Sequence, residues 1–107
     1  MRIKTSELSG AQLDWAVGKC RGITLELHGI VPYSTDWAHG GPVIEQEVIN
    51  LGRHTWDDSG VIRWGASKAG LFQGAPFSVG PTPLIAAMRC YVASKLGNEV
   101  EIPEELK

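Results

Sequence analysis

The densest group of side chains that could do chemistry lies in a short segment at residues 33–42. Aromatic rings there offer faces for stacking, hydroxyls and a carboxylate can orient a ligand, and glycines let a ligand approach the backbone. The same residue types also build turns in which an aspartate accepts hydrogen bonds from nearby N–H groups, and this alternative stays open. The residues predicted to bind a ligand are Tyr33, Ser34, Thr35, Asp36, Trp37, Gly40, Gly41, Trp64 and Arg89.

Arg89 is the unusual member of this set, because a helical wheel places it in the buried sector of the last predicted helix. A buried guanidinium requires anionic or carbonyl partners, since an unpaired buried charge is strongly destabilising. One interpretation is a salt bridge to Asp36, Asp14 or a glutamate. The other is a fixed cation that binds an anionic ligand.

Catalytic and metal-binding signatures are missing from the sequence in their usual forms. It has no glycine-rich phosphate loop, and its histidines, His28, His39 and His54, lack metal-ligand spacing. Ser34, Asp36 and His39 are the residue types of nucleophilic hydrolysis, but positions this close in the chain do not easily reach the required geometry. We therefore predict no metal site, no cofactor and no catalytic residue.

Composition argues against several classes of protein. The chain has 107 residues, with 10 basic and 12 acidic side chains and a net charge of −2, whereas a dedicated nucleic-acid binder is usually strongly basic. No stretch approaches the roughly 18 apolar residues of a membrane span, and the polar N-terminus does not resemble a signal peptide. We expect neither nucleic acid nor membrane as a partner, and we expect Cys20 and Cys90 to be free thiols.

A helix is predicted over about 10–21, and it is the first of the elements that must position the candidate ligand-binding residues. Ser9 and Gln12 have the spacing of a capping box, and Gly22 is typical of a helix end. Trp15 lies on the polar side of this helix, away from its apolar stripe. A loop of the same chain, a partner subunit or a ligand is expected to cover Trp15, which makes it the candidate interface residue.

Two elements are predicted around the polar segment at 33–42. Alternation of apolar and polar residues predicts a strand over 23–28. Pro42 is expected at the first position of a short helix that continues to Val48, and a strand over residues 43–48 is the alternative.

Further along, apolar residues at 49–51 and 61–64 predict an antiparallel hairpin across the polar connection 52–60. Residues 65–80 are rich in glycine and lack clear periodicity, so we expect an irregular, flap-like segment there.

The strongest prediction is a helix between Thr82 and Gly97, with Pro83 as its first residue. It is apolar nearly all round, which indicates a central helix or a subunit interface. The acidic tail at 99–107 is predicted to be a solvated end with at most one strand-like turn. Together the elements predict an α+β fold: one small domain over 1–107, with about three antiparallel strands packed by the N-terminal helix and the long C-terminal helix.

Several strings in the sequence resemble the NinX-like family of tailed-phage and prophage proteins, a domain of unknown function. They are Leu13–Val17, Ser34–Ala38, Gly40–Pro42, Gly80–Gly97 and Pro103–Leu106, so the resemblance extends over nearly the whole chain. It implies an accessory phage protein that works in the cytoplasm of the bacterial host, and it implies no particular reaction.

Two functions remain open at this point. The first is a non-enzymatic, homo-oligomeric binding protein whose ligand is a host protein or a small anionic, nucleotide-like molecule. The second is a small hydrolase or nucleotide-modifying enzyme that uses the Tyr33–Trp37 segment with Arg89. The missing catalytic signatures favour the first.

Overall fold

The computed structural model describes residues 1–23, 29–55, 62–68 and 77–106. Most of the strand predicted at 23–28 lies outside these residues. The described helices are α1 (Gly10–Cys20), α2 (Trp37–Glu47) and α3 (Pro83–Leu96). The described strands are β1 (Arg2–Lys4), β2 (Ile49–Thr55), β3 (Ile62–Lys68), β4 (Phe77–Gly80) and β5 (Glu99–Glu101). Short 3-10 helices cover Thr5–Glu7 and Glu104–Leu106. The α+β fold is therefore confirmed.

Strands β2, β3 and β4 form an antiparallel sheet in that order. The predicted hairpin is confirmed as β2–β3, and both strands extend beyond their predicted ends, so that Leu51 pairs with Ala66. Three strands were expected, but not β4 as one of them, because β3 and β4 both reach into the segment 65–80 that we predicted to be irregular. Small residues dominate this segment, and they hide the alternation by which a strand is recognised.

Glycine in β4 lets the helix lie directly on the sheet. Gly80 pairs with Trp64 across the sheet. A Cβ atom on Gly80 would lie 2.7 Å from the backbone nitrogen of Ala86 and 2.9 Å from Cγ2 of Ile85. A larger residue would therefore push α3 away from β4.

Helix α3 is the central element and contacts all three strands of this sheet as well as α1 and α2. Its predicted ends are confirmed: the Thr82 hydroxyl accepts a hydrogen bond from the Ile85 N–H at 3.1 Å, Pro83 is the first helical residue, and Gly97 follows the last turn with φ 87°. This position explains why the helix is apolar nearly all round. Its buried residues are Leu84, Ala86, Ala87, Met88, Cys90, Tyr91 and Val92.

The acidic tail is tied to the first residues of the chain. Strand β5 pairs with β1 in a separate two-stranded antiparallel sheet. Val100 and Ile102 are only 3% and 1% exposed, while Glu99 and Glu101 point to solvent. The predicted solvated end is therefore wrong for this stretch, because a partner strand from the far end of the chain completes its hydrogen bonds.

Helix α1 begins and ends within one residue of its predicted bounds, but the capping box does not form. Ser9 makes no side-chain hydrogen bond to the helix, and the Gln12 side chain instead donates to the Leu106 carbonyl at 2.9 Å. Trp15 packs against the core of its own chain and lines a small depression with Ile30 and other residues. The Lys19 ammonium lies 5.3 Å from the centre of the Trp15 ring.

Helix α2 starts five residues earlier than predicted, at Trp37. Asp36 rather than Pro42 marks its beginning, because the Asp36 carboxylate accepts a hydrogen bond from the Ala38 N–H at 2.9 Å. Pro42 lies inside the helix, where it cannot donate to the Ala38 carbonyl. The expectation that Pro42 opens the helix was therefore wrong.

Candidate ligand-binding site

The segment that sequence reasoning favoured is largely a packed corner between elements. Tyr33 and Ser34 are buried, and the Ser34 N–H donates to Oδ1 of Asp14 at 2.8 Å. Gly40 lies so close to the Tyr33 carbonyl and to Leu84 that a Cβ atom would overlap both. The missing side chain of Gly40 therefore lets Tyr33 and Leu84 pack against the helix, rather than letting a ligand approach the backbone.

Asp36 accepts local hydrogen bonds, as expected if the segment builds a turn. Its other oxygen, Oδ2, lies 3.0 Å from Nδ1 of His39. The Ala38 N–H, and then His39, hold the pKa of the Asp36 carboxyl below its ordinary value. Ser34 is not connected to this pair, since its hydroxyl has no hydrogen-bond partner among the described residues. Ser34, Asp36 and His39 thus do not form a hydrolytic relay.

Trp37 is the exposed aromatic side chain of this segment, in contrast to the buried Tyr33. Its side chain is 54% exposed. It borders a shallow depression of about 240 Å³ together with Ser34, Thr35 and the first turn of α3 from Thr82. This depression and the one beside Trp15 are lined by different residues.

Arg89 lies elsewhere, where α3 faces the outer edge of β4. Its Nε donates to the Leu8 carbonyl and its Nη1 to the Val79 carbonyl, each at 2.8 Å. None of the ion pairs in the described ranges involves Arg89, so the expected salt bridge to Asp36, Asp14 or a glutamate is not formed there. Carbonyl oxygens stabilise the guanidinium but leave its full positive charge.

A cleft of about 650 Å³ opens beside this guanidinium. Burial lowers the pKa of Arg89, yet an arginine side chain stays protonated in proteins. Lys4 from the end of β1 and Arg63 from β3 bring two further cations to the cleft, and Glu99 brings a carboxylate. The complete described lining is Lys4, Ser6, Arg63, Ser78, Val79, Gly80, Arg89, Ala93, Asn98 and Glu99.

The residues predicted as one site are thus distributed over separate places. Those at 33–41 lie around the start of α2, whereas Arg89 lines the cleft beside β4. Trp64 is partly buried and packs against the hydrophobic core, and it is not part of the described cleft lining.

Sequence reasoning missed Lys4, Arg63 and Glu99. Each is an ordinary charged residue on a strand, and such residues usually face solvent. The burial pattern of Arg89 was the one sequence signal that pointed toward this cleft.

Neither a metal site nor a reactive thiol is visible in the described ranges. No group of three or more histidine, cysteine or acidic side chains there could hold a metal ion. Neither Cys20 nor Cys90 forms a disulfide, in agreement with the prediction, and burial raises the pKa of both thiols to about 11. Within the same ranges, no helix is long and apolar enough to cross a membrane.

Comparison with known proteins gives the family. A family model described as "Bacteriophage P22, NinX" matches residues 30–95. This range contains α2, the three-stranded sheet and nearly all of α3, as well as Arg63 and Arg89. Lys4, Glu99 and the strings Leu13–Val17 and Pro103–Leu106 lie outside it. A search of curated proteins found no significant match. Since the matched range exceeds half of the 107 residues, this chain belongs to the phage NinX family.

Proposed function

We propose that this phage protein is a non-enzymatic binding protein that holds a small anionic ligand in the cleft beside Arg89. The observation that carries the proposal is the way Arg89 is held. Two backbone carbonyls fix its guanidinium at the cleft wall without neutralising its charge.

This arrangement prepares the guanidinium to bind an anion. Among the described residues, only Nε and Nη1 of Arg89 make hydrogen bonds, so Nη2 has no partner there and can donate to a ligand. Because the side chain is already ordered, a ligand does not have to supply the free energy of ordering it. A partly buried guanidinium also attracts an anion more strongly than a fully solvated one does.

The charge balance of the cleft supports the same ligand class. Lys4, Arg63 and Arg89 provide three positive charges against the single carboxylate of Glu99 among its described lining residues. The volume of about 650 Å³ lies within the range of small-molecule sites, about 300–1,000 Å³. A small anion, rather than a cation or a purely apolar molecule, complements these walls.

The experiment is calorimetric titration of the protein with two anions of different chemistry, inorganic phosphate and citrate. At least one of them is expected to bind, and high salt is expected to weaken the binding because exposed charges are screened. Arg63→Gln should lower the affinity by up to about fivefold, the effect of losing up to about 1 kcal/mol from one exposed charge.

Arg53→Gln is the matched control. Arg53 is also an exposed arginine on the β2–β3 hairpin, but it is not among the described lining of the cleft. If neither anion binds, or if the Arg53 and Arg63 variants lose the same affinity, the proposed function is wrong.

A further inference from the structure

We infer that the anionic group that this cleft takes is a phosphate monoester carried by a hydroxylated small molecule. This inference rests on the proposed function and specifies its ligand. It covers sugar phosphates and nucleoside monophosphates, which share a phosphate ester beside free hydroxyls.

The cationic side chains of the cleft come from different elements of the fold. Lys4 is on β1, Arg63 is on β3 and Arg89 is on α3, so three separate elements contribute positive charge to one cleft. A carboxylate has two coplanar oxygens, and one arginine fork can satisfy both. A phosphate monoester has three terminal oxygens and a charge of about −1.5 to −2 at neutral pH. Cations on several sides therefore match a tetrahedral phosphate better than a planar carboxylate.

The outer edge of β4 adds a backbone donor to the same place. In an antiparallel ladder, the N–H and C=O groups of one residue point to the same side of the strand. The Val79 carbonyl accepts the hydrogen bond from Arg89 and Val79 lines the cleft, so we infer that this carbonyl points away from β3. The Val79 N–H therefore also faces the cleft, next to the guanidinium. Backbone N–H groups beside cations are a common way to bind phosphate oxygens.

Besides the apolar residues Val79 and Ala93, the cleft wall carries further polar groups, which call for a ligand larger than phosphate. Ser6, Ser78 and Asn98 line it, and Glu99 adds a carboxylate. A carboxylate repels a bare anion, but it accepts hydrogen bonds from hydroxyl groups. A phosphate ester on a polyol uses both features, with the phosphate at the cations and the hydroxyls at Glu99.

The test compares ribose 5-phosphate with ribose and with succinate, by calorimetry at low salt. Ribose 5-phosphate is expected to bind about tenfold more tightly than succinate, and ribose is expected to show no binding. Adenosine monophosphate in the same assay decides whether the ligand is a nucleoside monophosphate or a sugar phosphate. Tighter binding than that of ribose 5-phosphate indicates a nucleoside monophosphate, and weaker binding indicates a sugar phosphate.

The pH profile gives a second readout. The second ionisation of a phosphate monoester has a pKa of about 6, so the affinity for ribose 5-phosphate should rise between pH 5 and pH 7.5. Arginine and lysine side chains keep their charge over this range. The rise should persist in Glu99→Gln, because the titrating group belongs to the ligand and not to the carboxylate in the cleft.

Glu99→Gln also separates the two parts of the ligand. It should strengthen the binding of inorganic phosphate, because it removes a repulsive charge. It should weaken the binding of ribose 5-phosphate relative to inorganic phosphate, because the carboxylate acceptor is lost. Glu45→Gln is the control, because Glu45 is exposed on α2 and is not among the described cleft lining. It should change neither the affinity for inorganic phosphate nor the affinity for ribose 5-phosphate.

The outcomes distinguish this inference from the proposed function. If succinate binds as tightly as ribose 5-phosphate, and Arg63→Gln still weakens the binding of succinate, the cleft binds anions but the inference of a phosphate ester is wrong. An affinity for ribose 5-phosphate that does not change between pH 5 and pH 7.5 would also overturn it. If no anion binds, the proposed function and this inference both fail.

Discussion

Gly40 and Gly41 are neighbours in α2, but their surroundings are opposite. A Cβ on Gly40 would overlap the Tyr33 carbonyl and lie 2.6 Å from Cδ2 of Leu84, whereas a Cβ on Gly41 meets nothing within 4 Å. Sequence alone does not distinguish them, because both are glycines in the same helix. The distinction comes from what packs against each.

Replacing these two glycines one at a time by alanine gives opposite predicted changes in stability. Gly40→Ala should lower the free energy of unfolding by about 1–3 kcal/mol, because backbone and core atoms must move aside. Gly41→Ala should raise it by about 0.5–1 kcal/mol, because alanine favours the helix. Urea denaturation of both variants measures the difference. Equal stability of the two would contradict the tight packing at Gly40.

Arg89 combines two roles at the residue scale. It joins Leu8, which precedes α1, to the open edge of β4 through two carbonyls, and it lines the cleft. Removing its side chain leaves two acceptors without their donors, and each such loss is destabilising. For this reason the binding experiments use Arg63, whose exposed side chain can change without loss of the fold.

At the scale of elements, a charged cluster connects α2, β3 and α3. The Lys68 ammonium lies 2.9 Å from Oε1 of Glu47, and the Lys95 ammonium lies 3.9 Å from the same oxygen. The side chains of Glu47 and Lys68 are only 21% and 19% exposed. The hydrogen bond from Lys68 is the main reason why the pKa of Glu47 lies below its ordinary value of 4.5.

This cluster predicts a pH-dependent contribution to stability. The lowered pKa means that the folded protein gains stability from ionised Glu47 above about pH 4.5 and loses it as the pH falls through the lowered value. Glu47→Gln should therefore reduce the free energy of unfolding at pH 7 by about 1 kcal/mol. The difference from the parent protein should shrink between pH 5 and pH 3.

Denaturation at a series of pH values tests this prediction, with Glu45→Gln in the same helix as control. Glu45 is exposed, so its variant should follow the parent protein at every pH. A Glu47→Gln difference that stays constant down to pH 3 would show that the cluster does not stabilise the fold through this charge.

At the scale of the whole molecule, the chain itself covers two of the features that had indicated self-association. Helix α3 is enclosed by the sheet, α1 and α2, and Trp15 packs against the core of its own chain. Trp37 remains 54% exposed. In the part of the chain that the structure describes, Trp37 is the largest of the exposed apolar side chains, with Val48 and Leu96, on which the prediction of a homo-oligomer now depends.

Sedimentation velocity measures the assembly directly. If the protein self-associates, Trp37→Ser should shift it toward the monomer, because it removes the largest exposed apolar side chain of the described residues. A parent protein that stays monomeric at high concentration would end the prediction of self-association. It would leave anion binding untouched, since Trp37 is not among the described lining of the cleft.

The sequence by itself determined those elements whose signals are local. Thr82, Pro83 and Gly97 determine the ends of α3 because caps act on the backbone groups next to them. Apolar residues on either side of a polar connection were enough for the β2–β3 hairpin. Strings of neighbouring residues were also enough to identify the family.

Only the tertiary structure decided where β4 and β5 pair and which charges meet. With four residues in β4 and three in β5, both are too short to give a strong strand signal, and each becomes a strand because a partner completes its hydrogen bonds. Lys4, Arg63 and Arg89 are distant in the chain, and they share a cleft because α3 packs on β3 while β5, which follows α3, pairs with β1. A site built from such long-range contacts leaves no pattern of spacing in the sequence, since spacing reports only neighbours within one helix or strand.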